Sequence, residues 1–164
     1  MPTLRLRFPG GRYHATPWGH HVNEGLIEWP PSPWRLLRAL IACGFSSQGW
    51  EEIPPVGRTL IEKLASVLPG YWLPNASAAH SRHYMPILEG SEQKTTLVFD
   101  TWANLGDDDA AMIHWPCELT ESEATLLSQL TSALGYLGRS ESWVEAELLT
   151  DSEFGADVCN AFPH

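Results

Sequence analysis

The chain has 164 residues, is 43% hydrophobic, and carries 20 Asp and Glu against 10 Lys and Arg, a formal net charge of −10. That length is most simply one domain with a real core, and the acidic balance argues against non-specific binding to nucleic acid. No apolar stretch is long enough to span a bilayer, no signal peptide opens the chain, and Cys43, Cys117 and Cys159 form no CxxC pair, so a cytoplasmic, reducing location without a membrane role is expected.

Thr3 to Phe8 alternates, with Leu4, Leu6 and Phe8 on one face and Thr3, Arg5 and Arg7 on the other, which predicts a strand with one buried face. Residues 9–21, rich in Gly, Pro, His and aromatics, read as irregular. Ser32 is a good N-cap and Pro33 suits the first helical position. Leu36, Leu37, Leu40 and Ile41 form the apolar stripe, and Arg35 and Arg38 share another, solvated face. A second helix is predicted from about Pro55 to Val67, stopped by Pro69 and Gly70.

Residues 71–94 show no clear period and are expected to form a long loop or a hairpin lifted off the core. Residues 95–105 read as a long strand, with Val98, Asp100 and Trp102 on one face. Asp107 to Asp109 form a turn without the spacing of a calcium loop, and residues 111–117 a short strand. The strongest helix signal starts at Thr120, whose capping box with Glu123 precedes the stripe Leu126, Leu127, Leu130, Leu134 and Leu137. Residues 142–149 read as a last strand. The order is strand, helices, strand, strand, helix, strand, which predicts an α+β, ferredoxin-like βαββαβ fold with an extra helix.

Charge is unevenly placed. Residues 1–82 hold eight Lys/Arg and five Asp/Glu, whereas residues 83–164 hold two and fifteen, so a local anion site built mainly from the first half is open. The loop GYLGRSES (135–142) joins the last helix to the last strand. Gly138 fits a left-handed helix C-cap, while Arg139, Ser140 and Ser142 fit a phosphate held by a glycine-rich turn. The dipole of a helix C-terminus opposes an anion there, and Arg139 must outweigh it.

The cluster SRHYMP (81–86) combines phosphate pairing by Arg82 with stacking on His83 or Tyr84. Arg5, Arg7, Arg12, Arg35 and Arg38 complete the set of candidate RNA contacts. His14, His20, His21, His80, His83, His114 and His164 show no HExxH and no neighbouring Cys pair, so surface histidines are the default reading and no metal or other cofactor is expected. For a metal-independent acid–base site, Tyr13 with His14 and His83 with Tyr84 are the candidates.

Taken in order, GRYHATPWG, EWPPSPWRLLRALIA, SRHYMP, KTTLVFDTWANL and YLGRSESWVEAELL resemble the N-terminal part of the type I-G (formerly I-U) CRISPR-associated Csb-two family. Those proteins look like a fusion of two RAMP-superfamily units, a handle-binding Cas-five-like subunit of Cascade followed by a Cas-six-like pre-crRNA endoribonuclease. The resemblance implies a handle-binding RAMP domain over residues 1–150, with 151–164 a tail or the start of a linker to the endoribonuclease unit. It implies a glycine-rich loop at 135–142 and a thumb-like hairpin within 71–94.

The implied partners are crRNA, Cas-seven-like backbone and Cas-eight-like large subunits, a fused or separate Cas-six-like endoribonuclease, and, indirectly, target DNA, in antiviral defence. Three functions stay open on sequence: a crRNA 5′-handle-binding structural subunit, a metal-independent pre-crRNA endoribonuclease, and an acidic protein–protein interaction module.

Overall fold

The computed structural model describes residues 1–89, 92–149 and 154–163; the expected domain boundary near residue 150, residues 90–91 and His164 lie outside them. Its strands are β1 (Thr3–Arg7), β2 (Arg12–Tyr13), β3 (Gly70–Trp72), β4 (Ser77–Glu89), β5 (Glu92–Asn104), β6 (Ala110–His114) and β7 (Glu145–Leu149). The helices are α1 (Pro33–Ser47), α2 (Pro55–Ser66) and α3 (Glu121–Ser132).

One sheet runs β3-β6-β1-β7, with every neighbouring pair antiparallel. Taken with α1 and α2 between β1 and β3, and α3 between β6 and β7, this is the split βαβ plan in which the first and third strands lie at the centre. The fold is therefore α+β and ferredoxin-like. The second sheet, β2-β5-β4, is a long hairpin inserted between β3 and β6 and anchored by β2.

Alternation in β1 places Leu4 and Leu6 fully inside, opposite Ile113 and Ala111 of β6. Leu36, Leu37 and Leu40 of α1, Leu60 and Leu64 of α2, and Leu126, Leu127 and Leu130 of α3 close over that face. Each fully buried leucine contributes roughly 1.5–3 kcal/mol. The Ser32 Oγ accepts from the Arg35 N–H at the start of α1, and the Thr120–Glu123 capping box starts α3. Lys63 Nζ donates to Glu123 Oε2 at 2.6 Å, tying α2 to that cap. That hydrogen bond, with the Thr120 N–H, draws the Glu123 carboxyl down to about 2.

Two sequence expectations change and one is narrowed. The second strand of the sheet is not the long strand at 95–105 but β3, only three residues long and starting at the Gly70 expected to end a helix. So short a strand shows no alternation. The long strand instead pairs with β4 over thirteen residues each, so the segment expected to be a loop or hairpin is a hairpin. Both of its faces stay largely exposed, so no burial pattern marks it, and Pro86 fits because β4 is an edge strand needing no inward N–H there.

Third, α3 ends at Ser132 with Ala133 as its C-cap, so Gly138 is not the cap. Leu134 and Leu137 are nevertheless buried, as loop residues. Near the C-terminus Ala161 bridges Tyr71 beside β3, the Tyr71 N–H donating to its carbonyl at 2.8 Å. No helix of the described residues is long and apolar enough to cross a membrane.

Candidate nucleic-acid interface

The hairpin meets the loop that the sequence singles out where Asp100 of β5 approaches Arg139. Gly138 has φ +89°, and a Cβ there would lie 2.5 Å from the His14 carbonyl oxygen. This positive φ and close approach demand glycine. The turn lets the Arg139 N–H donate to the His14 carbonyl at 2.9 Å, while Ser142 Oγ accepts from the His14 N–H at 2.8 Å. Ser142 is thus a buried staple between the loop and residues 14–15, and Ser140 is exposed.

Tyr13 and His14 point in opposite directions, as neighbours in extended chain do. The Tyr13 hydroxyl is buried and donates to Glu28 Oε1 at 2.8 Å. Burial first, and the Glu28 charge second, push its pKa far up, which keeps it a neutral phenol facing the core. Glu28 also accepts from Arg35 Nε at 2.7 Å, from Arg35 Nη2 at 2.9 Å and from the Ser32 N–H. Burial alone would raise the Glu28 carboxyl; those hydrogen bonds outweigh it and hold it below the usual range. Arg35 also reaches the Thr16 carbonyl at 2.8 Å. Arg35 is therefore not on a solvated helix face: it clamps the loop before α1, which positions His14.

His14 is buried rather than a surface histidine, its Nδ1 2.7 Å from Glu141 Oε1 and its Nε2 3.9 Å from Asp100 Oδ1. His114 is buried too, on Thr3 Oγ1, and burial lowers its pKa. Asp100, on β5 at the hairpin root, gathers two further groups: His83 Nδ1 lies 3.8 Å from its Oδ2 and Arg139 Nη1 3.9 Å from its Oδ1. Asp100 Oδ1 is buried without a hydrogen bond. Two imidazoles beside one carboxylate are a group set able to move a proton.

The pleat divides the SRHYMP cluster. His83 shares a face with Asp100 and Trp102, where the Arg12 guanidinium lies 5.4 Å over the Trp102 ring. Arg82 and Tyr84 occupy the opposite face, Arg82 lying 5.3 Å over Phe99. Arg5 and Arg7 lie on the open face of the first sheet, but each meets a glutamate in register on β7: Arg5 with Glu147 at 2.8 Å and Arg7 with Glu145. Arg38 is exposed, 5.7 Å over Trp34.

The site thus brings together Arg12, His14, His83, Gly138 and Arg139. It leaves Arg82 and Tyr84 on the far face, Arg5 and Arg7 ion-paired, and Arg38 apart on α1. Sequence reasoning missed Asp100, Glu141 and Glu28 as partners; Asp100 and Glu141 lie 17 to 127 residues from the histidines they meet, so no local spacing marks them, whereas Glu28 lies only 4 and 7 residues from Ser32 and Arg35. Among the described residues, no group of three or more His, Cys, Asp or Glu is arranged to hold a metal ion.

Strand order and insertion define a ferredoxin-like unit carrying a long central hairpin that meets a glycine-rich loop. No protein-family model and no curated protein matches the chain. Among solved structures it is similar to Thermus thermophilus Cas6, at 12% identity and a TM-score of 0.43, over 90% of this chain and 53% of that one. A Cas6 product complex gives 12% identity and a TM-score of 0.40, over 90% and 51%. The chain spans about half the length of these solved structures.

Proposed function

We propose that this chain holds single-stranded RNA, as the Cas-five-like RAMP subunit that binds the 5′ handle of crRNA in a Cascade-like type I CRISPR complex. The observation that carries the reading is the hairpin root, where Arg12, Trp102, His83 and Arg139 converge on one face beside the glycine-rich loop. An aromatic ring between cations combines base stacking with phosphate pairing. The ordered motifs that resemble the Csb-two family supply the handle, the neighbouring backbone and large subunits, and a Cas-six-like unit as its partners. The carboxylates of the second half confine RNA to this one track.

Titration of labelled repeat RNA by fluorescence anisotropy tests the reading. The Arg12→Glu and Arg139→Glu variants are expected to weaken binding at least tenfold, and each neutralised phosphate contact lowers the salt slope by about 0.7. Binding that is absent, or indifferent to both variants and to the handle sequence, refutes it.

The two imidazoles on Asp100 favour a second reading, metal-independent cleavage of repeat RNA. Repeat RNA left uncut by the chain in EDTA removes that reading; a specific cut abolished by His14→Ala or His83→Ala establishes it.

A further inference from the structure

A groove of about 380 Å³ opens between α1 and residues 133–138, and none of Arg12, Trp102 and His83 lines it. Three aromatic side chains line it while facing solvent: Trp18 is 78% exposed, Trp34 58% and Tyr136 56%. Large exposed rings gathered at one place mark a binding surface. Each is held on a defined support. Trp34 stands in the first turn of α1, and Trp18 sits in the turn closed by the His20 N–H on the Pro17 carbonyl. Tyr136 is held by its bridge to Trp143.

The charge of the groove runs against that of the chain. Arg38 lies four residues after Trp34, on the same face of α1, and forms no ion pair among the described residues. The one carboxylate in the lining, Glu28, is already engaged by Arg35, Tyr13 and the Ser32 N–H. The groove therefore offers aromatic faces and one open guanidinium. Its volume is at the small end for ligand sites, suited to a single nucleotide.

We propose that this groove takes one unstacked nucleotide of the bound RNA, its base against the Trp18, Trp34 and Tyr136 rings and its phosphate on Arg38. The proposal rests on the RNA-holding reading and adds a second contact to it. Gly138 lines the groove while its loop docks on His14, so the same loop borders both contacts.

The test uses the 164-residue chain and single-stranded repeat RNA carrying 2-aminopurine at one position at a time. One position is expected to lose emission on binding, and Trp34→Ala to abolish that signal and weaken affinity by about 5- to 150-fold, the range for one base–aromatic stack. Arg38→Gln is expected to lower the salt slope by about 0.7. Ala42→Glu, at an exposed α1 position lining the groove, adds a repelling carboxylate without removing a contact and is expected to weaken binding with an unchanged melting temperature.

Wild-type affinity in all three variants, with binding still lost in Arg139→Glu, overturns the groove and leaves the RNA-holding reading standing. No RNA binding by the wild-type chain overturns both. Saturation by AMP at micromolar concentration, with RNA bound no more tightly than AMP, overturns the RNA assignment in favour of a mononucleotide site.

Discussion

Replacing Gly138 by alanine tests whether the glycine-rich loop is built onto His14 as described. The new Cβ would stand 2.5 Å from the His14 carbonyl oxygen and 3.1 Å from the Ala15 Cβ, at φ +89°. A left-handed backbone costs a non-glycine residue roughly 1–2 kcal/mol. Backing away from His14 also stretches the 2.9 Å bond from the Arg139 N–H, worth about 0.5–1.5 kcal/mol. The two together come to about 1.5–3.5 kcal/mol.

With a urea slope of about 2 kcal/mol/M, the unfolding midpoint of Gly138→Ala falls by about 1–2 M. The control is Gly135→Ala in the same loop. Its Cβ meets nothing within 4 Å, and its stability is expected to stay within about 0.5 kcal/mol of wild type. Because the same shift displaces Arg139, the proposed RNA-holding role predicts that Gly138→Ala also weakens RNA binding. A Gly138→Ala midpoint within about 0.3 M of wild type would refute the docking, since strain and lost bond together exceed that several-fold.

Two further outcomes follow from the buried groups. Arg35→Met leaves the Glu28 carboxylate buried without its cation and is expected to cost about 2–4 kcal/mol, less than the largest such losses because Arg35 is partly exposed; the double variant Glu28→Leu/Arg35→Met recovers part of that, and a single variant as stable as wild type sinks the clamp. Stability is expected to hold up to about pH 10, where tyrosines of the unfolded chain ionise, and to fall above it, because burial keeps Tyr13 and Tyr71 protonated only in the folded state. At the acid end, Glu123 contributes stability that is complete above its ordinary value of 4.5 and lost as the pH falls through about 2. Urea midpoints measured from pH 2 to 11 check both ends, and a flat alkaline limb, or one unchanged by Tyr13→Phe, contradicts the assignment.

The sequence by itself determined the elements that bury one face. Alternation marked β1, the 3.6-residue stripes marked all three helices, and the caps at Ser32 and Thr120 marked two starts within a residue. Those signals are local, because a strand or helix that packs on one side must repeat its apolar residues at its own period. The glycine-rich loop was legible too, but its reason was not: Gly138 looked like a helix cap, and only the approach of His14 shows what its positive φ serves.

Tertiary structure decided the rest. Short β3 took the place that the long strand had seemed to fill, and the first strand of the hairpin, largely exposed on both faces, left no period to read. Pairing across the sheet matched Arg5 and Arg7 with glutamates of β7, while Arg35 turned inward onto Glu28. Whether an arginine is free to meet a phosphate depends on which carboxylate the fold brings within 4 Å, and for Arg5 and Arg7 that partner lies some 140 residues along the chain.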